Sequence, residues 1–541
     1  MVQSKKILKG ISKKMGLTKQ SENREVVKAA GIVGGATLVS RFFGYIRDMV
    51  VAFFFGAGLV SDAFFVAFRI PNMLRRLVGE GSMTVSFIPV FTDYLQNKSK
   101  KDALELANIV FCLLSILLAV IAVAGIVFSP LIIKLTSPGF SDSPRQYELA
   151  VFLNRLMFPY IFFISLVALA MGILNAFRHF AVPAFSPVVL NISMILSACF
   201  LRDFFSEPIT ALAIGVLIGG VLQLAMQFPY LLKFGFKLRP DFNFRHPGIK
   251  KIVSLMLPAM FGSAIYQINV FVGTILASLL PKGSVSYLYY ADRIVELPLG
   301  IFGIALGTAI LPTLSQQVAS GNVDEMRKTI SFSLRVLLFV TIPAMCALIF
   351  LRLPIISVLF GRGEFSFEAV KLTADALLYY SLGLCAFSSV RIVSSGFFAL
   401  NDTKTPMKAA IIALVVNLVC SLLLMFPLKH AGLALATTIS STINVGMLAI
   451  ILHRRIGVFI DKRFITSFVK IMVCSAIMSL FILCMGYFYP FLSLSTFSKR
   501  LLWLMYAVAG GGGCYLLTSY FLGSDEMFSL KDNIKRRFLS K

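Results

Sequence analysis

Charge is scarce in this chain, and acid is the scarcer sign. Of 541 residues, 14% are charged and 58% hydrophobic, whereas a soluble globular domain is ~25% charged. A water-covered fold cannot be built from that supply. Asp and Glu number 25 against 51 Lys and Arg, a formal net charge of +26. In a soluble protein that excess would point to nucleic acid, but here most of it lies in short polar breaks and at the two ends, as expected beside anionic lipid. No nucleic-acid partner is expected. The eight cysteines all fall inside apolar runs, without a CxxC pair or a histidine at ligand spacing, so they read as small core residues and no metal site or cofactor is expected. There is no DxD or HExxH cluster, which leaves a membrane enzyme acting on polyprenyl phosphates without its acidic metal motif. The first twenty residues lack an apolar h-region, so they read as a basic cytoplasmic tail and not as a signal peptide.

What the chain has in abundance is apolar runs of bilayer length. About fourteen can be marked, at 28–56, 60–95, 103–136, 147–180, 183–203, 208–234, 250–281, 284–318, 326–352, 368–400, 405–427, 431–456, 464–490 and 500–522. Each is long enough for a ~30 Å hydrocarbon core, and only helices satisfy their own backbone there. The fold class is an all-α integral membrane protein of about fourteen transmembrane helices. Alternate breaks carry the cations, as in "NKSKK" (97–101), "KFGFKLRPDFNFRHPGIKK" (233–251) and "HRRIGVFIDKR" (453–463). Both termini are therefore expected on the cytoplasmic side.

The chain also repeats itself. "VSDAFFVAFRIP" at Val60 is similar to "VSYLYYADRIVELP" at Val285, Pro89 of "FIPVF" to Pro312 of "ILPTL", and "MGILNAFRHFAVP" at Met171 to "SGFFALNDTKTP" at Ser395, at offsets near 224. Two six-helix lobes related by a pseudo-two-fold axis follow, parallel because six is even, with a cavity between them. The expected division is a tail over 1–27, an N-terminal lobe over 28–245, a C-terminal lobe over 246–457, two extra helices over 458–523, and a basic tail over 524–541.

Against this background some charges are out of place. "SRFFGYIRD" sets Arg41, Arg47 and Asp48 near the middle of the first span, with Gly44 permitting close packing. An Arg or Asp at that depth costs ~2.5–3.5 kcal/mol unless it faces a polar interior. The second span adds Asp62, Arg69, Asn72, Arg75, Arg76 and Glu80 around Pro71, and the eighth adds Asp292, Arg293 and Glu296 before Pro298. Two readings stay open. These groups lock helices together as buried ion pairs, as expected for Arg76 with Glu80 one turn on, or the arginine surplus receives an anion from outside, for which guanidinium forks suit phosphate. Asn191, Asn269 and Asn417 are single amides inside spans and read as interhelical glue.

These motifs, together with "LGIFGIALGTAILP", "TPMKAAI" and "PLKHAGLALATTIS", resemble the lipid II flippase (MurJ/MviN) family of the multidrug/oligosaccharidyl-lipid/polysaccharide exporter superfamily, collinearly over essentially the whole chain. The resemblance implies a transporter and no enzyme: a protein of the bacterial cytoplasmic membrane that moves the undecaprenyl-pyrophosphate-linked peptidoglycan precursor, lipid II, to the outer leaflet by alternating access. Its partners would be that lipid, the surrounding membrane lipids and other cell-wall synthesis proteins. By the family pattern Arg41, Arg47, Arg75 and Arg293 bind substrate, and Asp48, Asp62, Asn72, Glu80 and Glu296 line or gate the cavity, with the two extra helices forming a groove for the lipid tail. Where some members build a cation site with acidic residues on the seventh and eleventh spans, this chain offers Asn269 and Asn417, so sodium coupling does not carry over. The rivals are an exporter of another lipid-linked saccharide and a drug antiporter of the same fold; an antiporter for organic cations calls for a carboxylate-rich, aromatic cavity, which the arginines disfavour.

Overall fold

In a computed structural model, residues 19–76 and 83–528 are described, and among them every regular element is helical. The helices are α1 (Lys19–Phe55), α2 (Leu59–Arg75), α3 (Thr84–Asn97), α4 (Lys100–Val127), α5 (Ser129–Thr136), α6 (Pro144–Met157), α7 (Tyr160–Ala176), α8 (Ala181–Phe200), α9 (Thr210–Lys233) and α10 (Pro247–Ser278). They continue with α11 (Ser284–Pro298), α12 (Ile304–Ala319), α13 (Val323–Phe350), α14 (Arg352–Leu359), α15 (Phe367–Leu382), α16 (Leu384–Ala399), α17 (Lys404–Ile456), α18 (Lys462–Phe488) and α19 (Phe497–Phe521). Each of the fourteen apolar ranges coincides with a helix, part of one, or a broken pair. Ten helical stretches among the described residues are long and apolar enough to cross a membrane by length and composition. The chain is a multi-pass membrane protein.

Several ranges that read as single spans are broken, and the cause is local backbone chemistry. Pro159 starts α7, where a missing N–H costs nothing. A π segment over Leu299–Gly303 separates α11 from α12 just after Pro298, a wide turn of the kind that marks functional helices. Ranges eleven and twelve join into one helical run whose break is Lys429, at φ 50° and ψ −131°, two residues after Pro427. Gly432 lets the two arms close, since a Cβ there would meet the backbone of Leu424.

The internal repeat is geometric as well as textual. Helix α4 recurs as α13 with the same 28-residue length, and the 8-residue α5 recurs as α14. The shift is 223 residues at both ends of each (323 less 100, 350 less 127). Even one turn is copied: Arg178 (φ 61°) and Asn401 (φ 59°) both take the left-handed conformation. The next N–H in each reaches back to a carbonyl at 2.9 Å, His179 to Leu174 and Asp402 to Phe397.

By packing, the chain divides into two compact units, 1–55 with 59–271, and 56–58 with 272–541. The division falls inside α10. In the first unit α1 packs along α8, and α8 along α9, where Gly215 and Gly219 allow close approach to Ser197 and Leu190. In the second unit one core gathers Leu314, Ile330, Leu337, Phe397 and Leu452. Another gathers Phe339, Ile471, Met478, Trp503 and Tyr515, seating the hairpin of α18 and α19 on α13.

Candidate functional site

In the first unit the site is built around Arg47 on α1. Arg47 is 8% exposed and Asp48 2%. The Arg47 Nη2 and Nε donate to Asp48 Oδ1 at 2.6 and 3.0 Å, and Nη1 donates to Asn191 Oδ1 at 3.1 Å. Asn191 in turn donates to the carbonyl of Ser40 at 3.2 Å. A buried charge is tolerated only when paired and hydrogen-bonded, and this network supplies both. Arg41, one and a half turns back, is half-buried, as is Tyr45.

Helix α2 begins with Asp62, 2% exposed and in the first turn, where the helix dipole favours an anion. Half-buried Arg69, Asn72 and Arg75 follow along the helix. The Arg75 Nε donates to Asn72 Oδ1 at 3.0 Å, one turn away. Glu80, and with it any pairing to Arg76, lies outside the described residues.

The second unit holds Asp292, Arg293 and Glu296 on α11. Arg293 Nη1 donates to Glu296 Oε2 at 2.9 Å, and both side chains remain about a third exposed. Its guanidinium stands 5.9 Å from the Tyr289 ring, and Asp292 is exposed.

Two amides fall into different roles. Asn191 is the second partner of Arg47, from a helix 144 positions away, and no local pattern announces that. Asn417 sits among neutral groups: it accepts from Ser421 at 3.0 Å and lies 3.4 Å from both Thr437 and Ser440. No group of three His, Cys, Asp or Glu that could hold a metal occurs among the described residues.

Sequence reasoning missed the ion pairs at the basic end of the second unit. Arg335 on α13 meets Glu526 at 3.0 Å, with Glu526 only 1% exposed, and the exposed Asp525 at 3.5 Å. Glu526 also accepts from Ser524 at 2.8 Å, and Lys470 donates to the Gly523 carbonyl at 2.8 Å. The stretch read as the start of a tail is thus docked at 524–526. In the loop before α17, Asp402 accepts from the Thr405 hydroxyl at 2.6 Å and N–H at 2.9 Å, and pairs with Arg455 at 2.5 Å. Those donors hold its carboxyl down to about 2.

Solved structures share this architecture. An inward-facing multidrug-resistance MATE transporter of the MOP superfamily matches with TM-score 0.65 at 15% identity, covering 78% of this chain and 95% of that one. The likeness to that transporter is one of fold. A structure described as lipid II flippase MurJ in an inward closed conformation matches more fully, with TM-score 0.77 at 30% identity over 90% of this chain and 98% of that one. The family model for lipid II flippase MurJ matches residues 51–502. A probable lipid II flippase MurJ of Buchnera aphidicola (subsp. Acyrthosiphon pisum) is 37% identical over 90% of this chain and 95% of its own length. One of Vibrio cholerae is 38% identical over 84% and 88%. The chain belongs to the MurJ lipid II flippase family.

Proposed function

We propose that this protein carries lipid II from the inner to the outer leaflet of the bacterial cytoplasmic membrane by alternating access, with both termini cytoplasmic. The observation that carries the reading is family membership over 51–502 in a chain that keeps arginine inside its spans. A polyprenyl pyrophosphate must bring its negative charge across ~30 Å of hydrocarbon, and guanidinium forks replace the solvation it loses. Arg41, Arg47, Arg75 and Arg293 take that role, with Asp48, Asp62, Arg69, Asn72, Glu80, Asp292 and Glu296 shaping or gating the cavity. The α18–α19 hairpin receives the lipid tail, and other cell-wall synthesis proteins are further partners.

The test is depletion of the protein in its host, followed by an assay of which leaflet holds the lipid-linked precursor. Accumulation on the inner leaflet is expected; unchanged outer-leaflet supply would overturn the proposal. Orientation is tested separately: a tag at residue 242 is expected to be accessible from the cytoplasm and one at residue 140 from outside.

A further inference from the structure

Cations cluster where the charge pattern of the chain disfavours them. The end of the second unit away from the basic breaks holds Arg362, in the loop between α14 and α15, and Lys499 and Arg500, at the start of α19. Loops on that side of a membrane are normally poor in Lys and Arg. In the first unit two arginines beside helix ends are paired with acid: Arg145 meets Glu207 at 3.0 Å and Arg202 meets Asp203 at 3.2 Å. Arg362 and Arg500 have no carboxylate within 4.0 Å among the described residues.

Both are nevertheless held firmly. Arg362 lies 4.3 Å over the Phe497 ring, with Nη2 3.5 Å from the Leu359 carbonyl. Arg500 Nε donates to the Leu494 carbonyl at 2.9 Å, and its guanidinium stands 5.7 Å from the Phe491 ring. Phe491 packs on Trp503, whose Nε1 donates to the Tyr489 carbonyl at 2.8 Å. A guanidinium has five donors, and these contacts use one of each. The remaining donors of the two held arginines, with exposed Lys499 adjacent to Arg500 in the chain, lie beside the mouth of the α18–α19 hairpin. Exposed apolar side chains lie beside it, among them Phe488, Leu492 and Leu502. Arginine donors beside an exposed apolar surface match one ligand chemistry, a phosphate-type headgroup on a long hydrocarbon tail.

We propose that Arg362, Lys499 and Arg500 form a second anion station, at the outer-leaflet end of the hairpin, for the pyrophosphate of a polyprenyl-linked substrate after it has crossed. This deepens the flippase reading and rests on it.

Trp503 is the single tryptophan of the chain, so the site carries its own reporter. The whole protein is placed in phosphatidylcholine nanodiscs and titrated with a short-chain polyprenyl pyrophosphate. A saturable change in tryptophan emission is expected, weakened about ten- to hundredfold by Arg362→Gln or Arg500→Gln, the loss of one or two charge-assisted bonds. Because Arg362→Gln leaves the Arg500 tie to Leu494 intact, a folding defect in the Arg500 variant does not end the test. No saturable change, an equal response in both variants, or an equal response to phosphatidylglycerol would each overturn the station. Precursor flipping by the wild type is measured alongside: flipping without the emission change sinks this inference alone, while absent flipping sinks the functional reading beneath it.

Discussion

Arg47 and Asp48 are adjacent in sequence and also bonded to one another, Nη2 to Oδ1 at 2.6 Å, inside a span where both are buried. Neighbouring residues on a helix point about 100° apart and do not face each other. The long arginine stem must therefore curl around the helix surface, and Asn191 on α8 fixes its far side at 3.1 Å. The pair is at once a helix lock and a candidate headgroup ligand, and substitution can separate the two roles.

Arg47→Ala breaks the buried pair with Asp48, with an expected cost of ~3–5 kcal/mol. Arg47→Ala/Asp48→Ala removes both members of the pair and recovers most of that stability. Transport does not recover if Arg47 also grips pyrophosphate. Thermal unfolding in detergent reads the first effect, and complementation of a depleted strain at matched protein level reads the second. Full growth from the double variant would leave Arg47 a structural residue only.

The C-terminal contact makes a sharper stability claim. Glu526 is 1% exposed and Arg335 12% by side chain, so Glu526→Ala leaves Arg335 only the exposed Asp525 at 3.5 Å and is expected to loosen α19 from α13. Charge exchange, Arg335→Glu with Glu526→Arg, should restore much of the loss where either change alone does not. Cysteine cross-linking between the N-terminal half of α13 and the C-terminal end of α19 measures it. Unchanged cross-linking in Glu526→Ala would rule out the clasp.

Much of this was legible in the chain, for a physical reason. A bilayer enforces length and helicity together, so apolar runs located the helices and the cation pattern ordered the breaks. The turn at Arg178 and its copy at Asn401 were visible as similar motifs because a left-handed position and its flanking bonds need particular local residues. What stayed hidden was tertiary choice. Nothing near Arg47 names Asn191, and Glu526 reads as part of a basic tail until Arg335, 191 positions away, takes it in. Breaks such as the π segment at Leu299–Gly303 vanish in any average over hydrophobicity.

Asp402 gives a pH prediction. Its carboxyl is held at about 2 by the Thr405 hydroxyl and N–H and by Arg455, against ~3.9 in an unfolded chain. A depressed folded value means the contribution is fully present above the unfolded pKa and is lost as pH falls through the folded one. The stability gap between wild type and Asp402→Asn should be constant above pH ~4 and close as pH falls toward 2. Unfolding curves across that window decide it, and a gap that persists at pH 2 would contradict the assignment.

The last prediction concerns Arg293, whose exposed pairing with Glu296 a lysine can keep. Its bond to Glu296 joins side chains that are 30% and 38% exposed, and such open one-turn pairs contribute ~0–1 kcal/mol. Arg293→Lys keeps the charge and can keep that pairing, so unfolding temperature and membrane level should barely change. Lysine is a point charge without the planar fork. If Arg293 holds a pyrophosphate, the variant therefore folds normally and transports poorly, and Glu296→Gln does not mimic it. Arg75→Lys, at the residue that donates to Asn72 at 3.0 Å, is expected to behave alike. Complementation and precursor flipping, with protein levels equalised, are the measurements. Wild-type transport from both lysine variants would remove Arg75 and Arg293 from the headgroup site.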